Sequence, residues 1–525
     1  MLKRLNVLLL FCGFICGCAT QGQVVLSDQR PLEAQLTKEN AGYVINKLID
    51  LKGKTIVFPK GAKIIFKKNG RIANGKIVGN NTTLLNPKLK GVRFGGTFLN
   101  TKITLSEQFD GETDFWEMLQ AFPFAEIVLS RNIQLPKTDV KSIDVGNFHL
   151  DGQGHTVKVQ RTPMLKNADV HIVNTTFDCL SAIDYVIYGQ GENSKKAFVL
   201  KNCSFLKVPE ANPVYARAYS NVTIENCRID GLLINNSRST KKNNYQIRVH
   251  SCTGNVVVRN NTVTNCFGVG IVGQYFKPDD NTTVLVEKNV IDNVTGGGII
   301  FVGGAVRNAV VRGNKISRTH SHGIQFEGEI NGGPNSAINF HGFYNALVEN
   351  NVIENCPNSS SFDFDGSLKG KNGIAKGTGL TVRGNKIVNS GSVALFVVEK
   401  VDFSNNRFEG HVYHRTNSAI LVMGARDVNI TRNDFSLTKG AKDAVHPIFV
   451  RDISNYGSGK VQINNNKLST DGNDFVFVNS DFSGECMIGE NSIIRTGKVD
   501  GTIDVVNKSR KKVLLPSLGK IINRE

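Results

Sequence analysis

The sequence predicts an all-β fold, a right-handed parallel β-helix (a solenoid) with an N-terminal β/helix cap, and three observations carry that expectation. A short phrase returns ten times: VEKNVI at Val286, VRGNKI at Val311, VENNVI at Val348, VRGNKI at Val382, FSNNRF at Phe403, ITRNDF at Ile430 and INNNKL at Ile463, preceded by VRNNTV, IENCRI and LKNCSF. Its template is apolar-x-x-Asn-x-apolar at intervals of roughly 21 to 37 residues, the signature of one coil stacked on the next. Apolar residues alternate with polar ones, as in Val284 and Val286 or Val461 and Ile463, which is the period of a strand. β-branched residues dominate these runs, Gly and Asn separate them, and nothing in the repeats has helical spacing. The leucine spacing does not suit a leucine-rich horseshoe. The Asn mark falls at Asn261, Asn289, Asn314, Asn351, Asn385, Asn406, Asn433 and Asn466, where its amide can bond the turn and its equivalents above and below. A small inward cysteine takes that place at Cys203 and Cys227.

In chain order, MLKRLNVLLLFCGFICGCAT has two positive charges, a short apolar core and a lipobox-like end at Cys18. Residues 1–17 are expected to be a signal peptide and Cys18 the lipidated residue; the apolar run is too short for a membrane-spanning anchor. No acidic residue follows among Ala19, Thr20, Gln21 and Gly22, so the expected location is a cell-envelope lipoprotein of the outer membrane, on the periplasmic face rather than the cell surface. The formal charge is 63 − 45 = +18, and +16 once Lys3 and Arg4 leave with the signal. In an exported protein such a charge selects an acidic polysaccharide over nucleic acid, unless the basic surface is idle. Three of ten cysteines fall in the first eighteen residues, and the other seven lack metal-ligand or disulfide spacing, so they read as core.

Residues 18–52 read as a linker, and 53–108 as a Gly-rich β module or the first coils. The stretch FDGETDFWEMLQAFPFAEIVLSRNIQL then places a short helix, N-capped by Thr113 or Asp114 and ending at Gln120, before a strand at Glu126 to Leu129. Trp116 lies on its apolar face, as the cap of an exposed solenoid end requires. Coils fill 109–500, and 501–525 read as a basic, solvated tail carrying NKSRKK.

A DG-x-TD helix, a strand and LDGQGHTV leading into Asn-marked coils resemble the pectate-lyase-like β-helix superfamily, over roughly Asp110 to Leu468. With a lipobox, the chain is similar to polysaccharide-degrading lipoproteins of gut Bacteroidota. The resemblance implies a carbohydrate-active enzyme without choosing among lyase, hydrolase and epimerase.

Outward residues at one place in successive coils form a ladder about 4.8 Å apart. Counting from the repeat asparagines aligns Gln274, Val302, Glu327 and, after one inserted residue, Asp365. Alternation in GIQFEGE and SFDFDGS turns Ile324, Phe326, Phe362 and Phe364 inward, and Gln325, Glu327, Asp363 and Asp365 outward. Upstream coils add Arg248 and His250, and Tyr215 and Arg217, to the same face. Stacked carboxylates repel, so one should titrate high unless a cation lies between them. Glu327, Glu329, Asp363 and Asp365 are the candidate ligands of a calcium ion; equally, two of them are the acid and base of a glycoside hydrolase. A solvated acidic face is the plain alternative.

Elimination from a uronate needs its carboxylate neutralised, a base for the C5 proton and an acid for the leaving oxygen. His250 or His322 is the candidate base, Arg248 its neighbour, and Tyr413 the acid. Arg217, Gln274, Gln325, His414, Arg415, His446 and Arg451 are candidates to hold substrate. Such a site is similar in chemistry to the chondroitinase B and alginate lyase family, although K-S-x-x-N and R-H-G are absent. The N-T-D and G-H-G marks of polygalacturonase-type hydrolases and the R-x-P-x-x-R of pectate lyases are absent too, with SHG at Ser321 a faint echo. The expected activity is a polysaccharide lyase on a uronate-containing glycan, best a glycosaminoglycan of the chondroitin or dermatan sulfate type, by a monomer. A β-helix hydrolase comes second. A non-catalytic glycan binder comes third, because one Trp and few outward Tyr leave little stacking surface.

Overall fold

The computed structural model describes residues 23–525 except 111–114, 193–194, 234–243, 277–281, 303–305, 328–342, 358–359, 366–376, 413–417, 438–445, 454–456, 470–474, 496–497, 501–502, 508–512, 515–518 and 524–525. Two units are distinguished: residues 1–100 with 108–111, and residues 101–107 with 112–525.

The second unit is the right-handed parallel β-helix. Three sheets run its length, with 16, 15 and 15 strands among the described residues, parallel throughout except where Lys498–Asp500 pairs antiparallel with Ser492–Arg495 at the end of the second. Each coil visits them in turn: Thr283–Glu287 in the first sheet, Val290–Val294 in the second, Ile299–Val302 in the third, then Ala309–Arg312 back in the first. The repeated phrase therefore spans the corner between first and second sheets. Its asparagine side chains are buried and form a continuous ladder. Asn314, for instance, donates from its backbone N–H and its Nδ2 to Asn351 Oδ1, each at 2.9 Å, and from Nδ2 to Val286 O at 3.0 Å. The ladder runs from Asn261 to Asn466 and extends one coil further, to Asn491. Cys227 joins it by donating its N–H to Asn261 Oδ1 at 2.9 Å, while its Sγ sits over backbone carbonyls.

The residue before each ladder asparagine from Asn261 to Asn466 is left-handed: Asn260, Lys288, Gly313, Asn350, Gly384, Asn405, Arg432 and Asn465 all have φ between 53° and 65°. Gly and Asn bear this conformation cheaply, which is why they recur there. Lys288 does not. Lys288→Gly is expected to raise stability by about 0.5–1 kcal/mol, measured as the denaturant midpoint.

Inside, side chains of one kind stack along the axis: Phe301 lies 4.7 Å from Phe326, and Phe408 4.9 Å from Phe435. All seven cysteines from Cys179 to Cys486 are buried and free. The helix Phe115–Ala121 covers the first coils, with Phe115 against Phe148 at 6.2 Å and Trp116 Nε1 donating to Pro136 O at 3.3 Å. Its expected caps, Thr113 and Asp114, lie outside the described residues. No helix among the described residues is long and apolar enough to cross a membrane.

Two expected boundaries move. The stretch expected as a linker, 18–52, supplies Val24–Val25, Gly42–Ile45 and Leu48–Asp50 to the seven-stranded sheet of the first unit, with Tyr43 and Ile45 fully buried. These strands are too short and too interrupted by charge to show a period. The C-terminal stretch 501–525, expected as a solvated tail, adds Ile503–Asn507 and Gly519–Asn523 to the third sheet, parallel to Val476–Val478 and to each other. The repeat asparagine is missing there, so the coils lose their mark while keeping their strands. The NKSRKK run falls almost wholly outside the described residues.

Candidate active site

The first sheet spends its outward charge on itself. Lys201, Glu225, Arg259, Glu287, Arg312, Glu349 and Arg383 form one column of alternating sign. Arg259–Glu225, Arg312–Glu287 and Arg383–Glu349 are ion pairs at 2.7–2.9 Å. Such exposed pairs contribute little stability but leave no net charge for a ligand.

The third sheet differs. Its register aligns Arg217, His250, Gln274, Val302, Glu327 and Asp365 in one column, the insertion before Asp365 being absorbed outside the strand. Two residues earlier on the same strands run Tyr215, Arg248, Val272, Ile300, Gln325 and Asp363. Ile324, Phe326, Phe362 and Phe364 fill the core beneath.

Around Asp363 the groups converge. His322, in the turn leading into the strand Ile324–Glu327, brings Nδ1 to 3.4 Å from Asp363 Oδ2. The side chains retain only 20% and 16% of their exposure. The buried Gln325 amide nitrogen lies 3.3 Å from Asp363 Oδ2 and 3.4 Å from Glu327 Oε2, donating to both. Burial pushes the Asp363 carboxyl up to about 6, partly offset by the Gln325 hydrogen bond. Burial also pushes His322 down to about 4, so its imidazole is neutral wherever Asp363 titrates.

The structure divides the remaining candidates. Arg248 and His250 lie three strands upstream of Gln325 and Glu327, about 14 Å along the ladder, and four upstream of Asp363. They therefore do not share one bond with His322. His250 meets Ser251 Oγ at 2.8 Å through Nδ1, and burial, then the charges of Arg248 and Arg217, push it down to about 4. Gln274 is buried and accepts from Arg248 Nε at 2.8 Å, so it orients that arginine. Arg451 is already paired with Asp481 at 2.9 Å. Glu329, Tyr413, His414 and Arg415 lie outside the described residues, as do Cys18 and the side chain of His446.

Gln325 occupies the place between Glu327 and Asp363 where a bridging cation would stand. Among the described residues, no group of three or more His, Cys, Asp or Glu side chains is placed to hold a metal ion. Glu329, one of the four expected calcium ligands, lies outside the described residues, and no step below runs through a metal.

Sequence reasoning placed Tyr215 on this face but missed Tyr185, Tyr188 and Tyr245. Tyr185, Tyr188, Tyr215 and Tyr245 gather at the upstream end of the third sheet, with Tyr188 and Tyr215 stacked at 4.3 Å and 12°. Arg248 lies over Tyr215 at 4.4 Å and over Tyr245 at 4.8 Å. The outward positions of DYVIYGQ, one coil before Arg217 and two before Arg248, carried the signal.

Residues 164–331 match the family model for a right handed β-helix region. That β-helix region holds Tyr185 through Glu327 but stops short of Asp363. No curated protein matches the chain. Two solved structures align over most of it: the periplasmic alginate epimerase AlgG, at 11% identity over 90% of this chain and 84% of that one with a TM-score of 0.19, and a double mutant of it, at 11% over 87% and 77% with a TM-score of 0.20. Scores this low carry no argument about the reaction.

Proposed function

We propose that this β-helix is an enzyme that cleaves an acidic polysaccharide by hydrolysis, with Asp363 as general acid and Asp365 as general base. The carrying observation is a buried carboxyl titrating near 6, held by His322 and Gln325, beside two further outward carboxyls. Environments that push neighbouring carboxyls apart separate an acid from a base. Protonated Asp363 gives its proton to the glycosidic oxygen as the C1–O bond breaks. Asp365 takes a proton from a water whose oxygen bonds to C1. His322 and Gln325 are positioning residues, and the 3.4 Å contact to His322 tightens when substrate expels water.

Elimination by a polysaccharide lyase is the second reading, and one observation favours it. A neutral His322 whose Nδ1 faces ionised Asp363 can take the C5 proton through Nε2, as the C4=C5 double bond forms, the C4–O bond breaks and the leaving oxygen takes a proton from water, whose hydroxide then recovers the proton held by the imidazole. It ranks second because Arg248 and Arg217, the expected partners of the uronate carboxylate, stand four and five strands from Asp363. Under either reading the basic chain suits a uronate or sulfated polymer, such as a chondroitin or dermatan sulfate, met at the cell envelope by a protein lipidated at Cys18.

The two readings give opposite pH limbs. Hydrolysis needs Asp363 protonated, so kcat is expected to fall about tenfold per pH unit above about 6. Elimination needs it ionised, so kcat would rise through the same value. Purified protein on chondroitin sulfate, alginate and pectate, followed by new reducing ends and by ultraviolet absorbance of the conjugated double bond, decides between them. Neither signal on any polymer sinks both.

A further inference from the structure

Upstream of the acid–base cluster, a cleft of about 260 Å³ opens on the third sheet, lined by Lys141, Arg161, Asp184, Tyr185, Tyr188 and Arg217. Three cations face one carboxylate there. Arg161 is the partly neutralised one, with Asp139 at 3.9 Å and Asp184 at 4.0 Å. Arg217 is exposed, is held by the Tyr188 hydroxyl at 3.4 Å, and has no ion pair with a carboxylate among the described residues. Arg248, one strand on, likewise pairs with tyrosine faces and the Gln274 amide instead of an acid. On the first sheet, Arg259, Arg312 and Arg383 each have a glutamate, so the unspent charge on the third is a local property.

The tyrosines give that charge a surface. Tyr185 packs 4.9 Å from Tyr188, and Tyr188 stacks on Tyr215, so two rings bordering the cleft are braced from behind by a third. A rigid aromatic face beside a guanidinium suits a ring that is apolar on its C–H face and anionic at its edge, which is the form of a uronate or a sulfated sugar. A neutral sugar would leave Arg217 unanswered, and an inorganic anion would leave the rings unused.

Beyond Arg248 and His250 the outward columns carry Val272, Gln274, Ile300 and Val302, with no charged side chain before Glu327. From Arg217 to Glu327 is four strand steps, about 19 Å. A polymer lying along the sheet crosses this low floor to reach Asp363.

We propose that the cleft bounded by Lys141, Arg161, Tyr185, Tyr188 and Arg217 is a distal subsite for an anionic sugar residue of the polysaccharide, separate from the bond-cleaving cluster. The proposal rests on the reading of the chain as a polysaccharide-acting enzyme, but not on which bond it breaks.

The test is affinity electrophoresis of the full chain through gels containing alginate, chondroitin sulfate or neutral dextran. Retardation is measured in an Asp363→Asn background so that polymer is not consumed, and product formation with the native chain. Tyr188→Ala and Arg217→Gln are introduced separately, because both side chains face outward and their loss leaves no core cavity; an unchanged denaturant midpoint checks folding. The expected result is retardation by at least one acidic polymer and not by dextran, weakened about tenfold by either substitution. Equal retardation of the substituted and unsubstituted chains overturns the subsite while leaving the catalytic reading intact. Equal retardation by dextran overturns its anionic specificity, and no retardation by either acidic polymer overturns it outright. Loss of retardation in the variants, with no product from the native chain on the same polymers, keeps the subsite and removes the catalytic reading.

Discussion

Asp363→Asn is expected to lower kcat by about 10²–10⁴-fold on whichever acidic polymer is cleaved, with a much smaller change in KM. The amide keeps the shape and the Gln325 neighbourhood but cannot deliver a proton. The limb near pH 6 should vanish with it, since that limb belongs to a carboxyl whose burial raises it from the ordinary range. His322→Ala makes the complementary case. The imidazole only positions Asp363 in the hydrolytic reading, so a smaller loss is expected, with the limb displaced because a polar neighbour at 3.4 Å has gone. A kcat that is indifferent to Asp363→Asn would remove the cluster from the chemistry. A loss in His322→Ala as deep as in Asp363→Asn would favour elimination, where the imidazole itself moves the proton. Reading kcat and KM separately across pH distinguishes these outcomes.

Asn351→Ala should be the most destabilising single change in the solenoid, by about 3–6 kcal/mol. The side chain is fully buried and makes four hydrogen bonds at once. Its Oδ1 accepts from the Asn314 backbone N–H and from Asn314 Nδ2, each at 2.9 Å, and its Nδ2 donates to Val311 O at 2.9 Å and to Asn385 Oδ1 at 3.0 Å. Alanine removes all four in a dry corner, and an unpaired buried polar group costs about 1–3 kcal/mol. Asn351→Cys should cost less, because Cys203 and Cys227 stand in the same ladder with Sγ over a backbone carbonyl. Because each coil contacts mainly its neighbours, the loss should appear as local fraying around the 314–385 coils before global unfolding. Hydrogen exchange of those coils measures it. Alanine protected as well as the native chain would mean that the ladder is ornament.

The ladder is also where sequence and structure agree most closely. One asparagine per coil, preceded by a left-handed residue and followed by an alternating strand, is a local pattern with one geometric solution. Counting from it placed Gln274, Val302, Glu327 and Asp365 in a single column before any strand was seen. The burial of Phe326 and Phe364, and the outward face of Asp363, followed from alternation alone.

What the count could not supply was distance across coils and depth. His250, His322 and Arg248 share a face in sequence, but four strand steps separate the first and last from Asp363, so they cannot act on the same bond. The high titration of Asp363 comes from how far the surrounding coils bury it, which no spacing encodes. The tyrosine platform comes from Tyr185, Tyr188 and Tyr215, which lie on two coils and meet only because the register stacks them. The strands at 24–50 and 503–523 lack the asparagine mark, and only pairing with their neighbours makes them part of the fold. Sequence by itself determined the coil, its corner and the orientation of its side chains, because those depend on residues a few positions apart. Tertiary structure decided which coils act together, because charge and solvent exclusion are set by neighbours that the chain reaches only after a full turn.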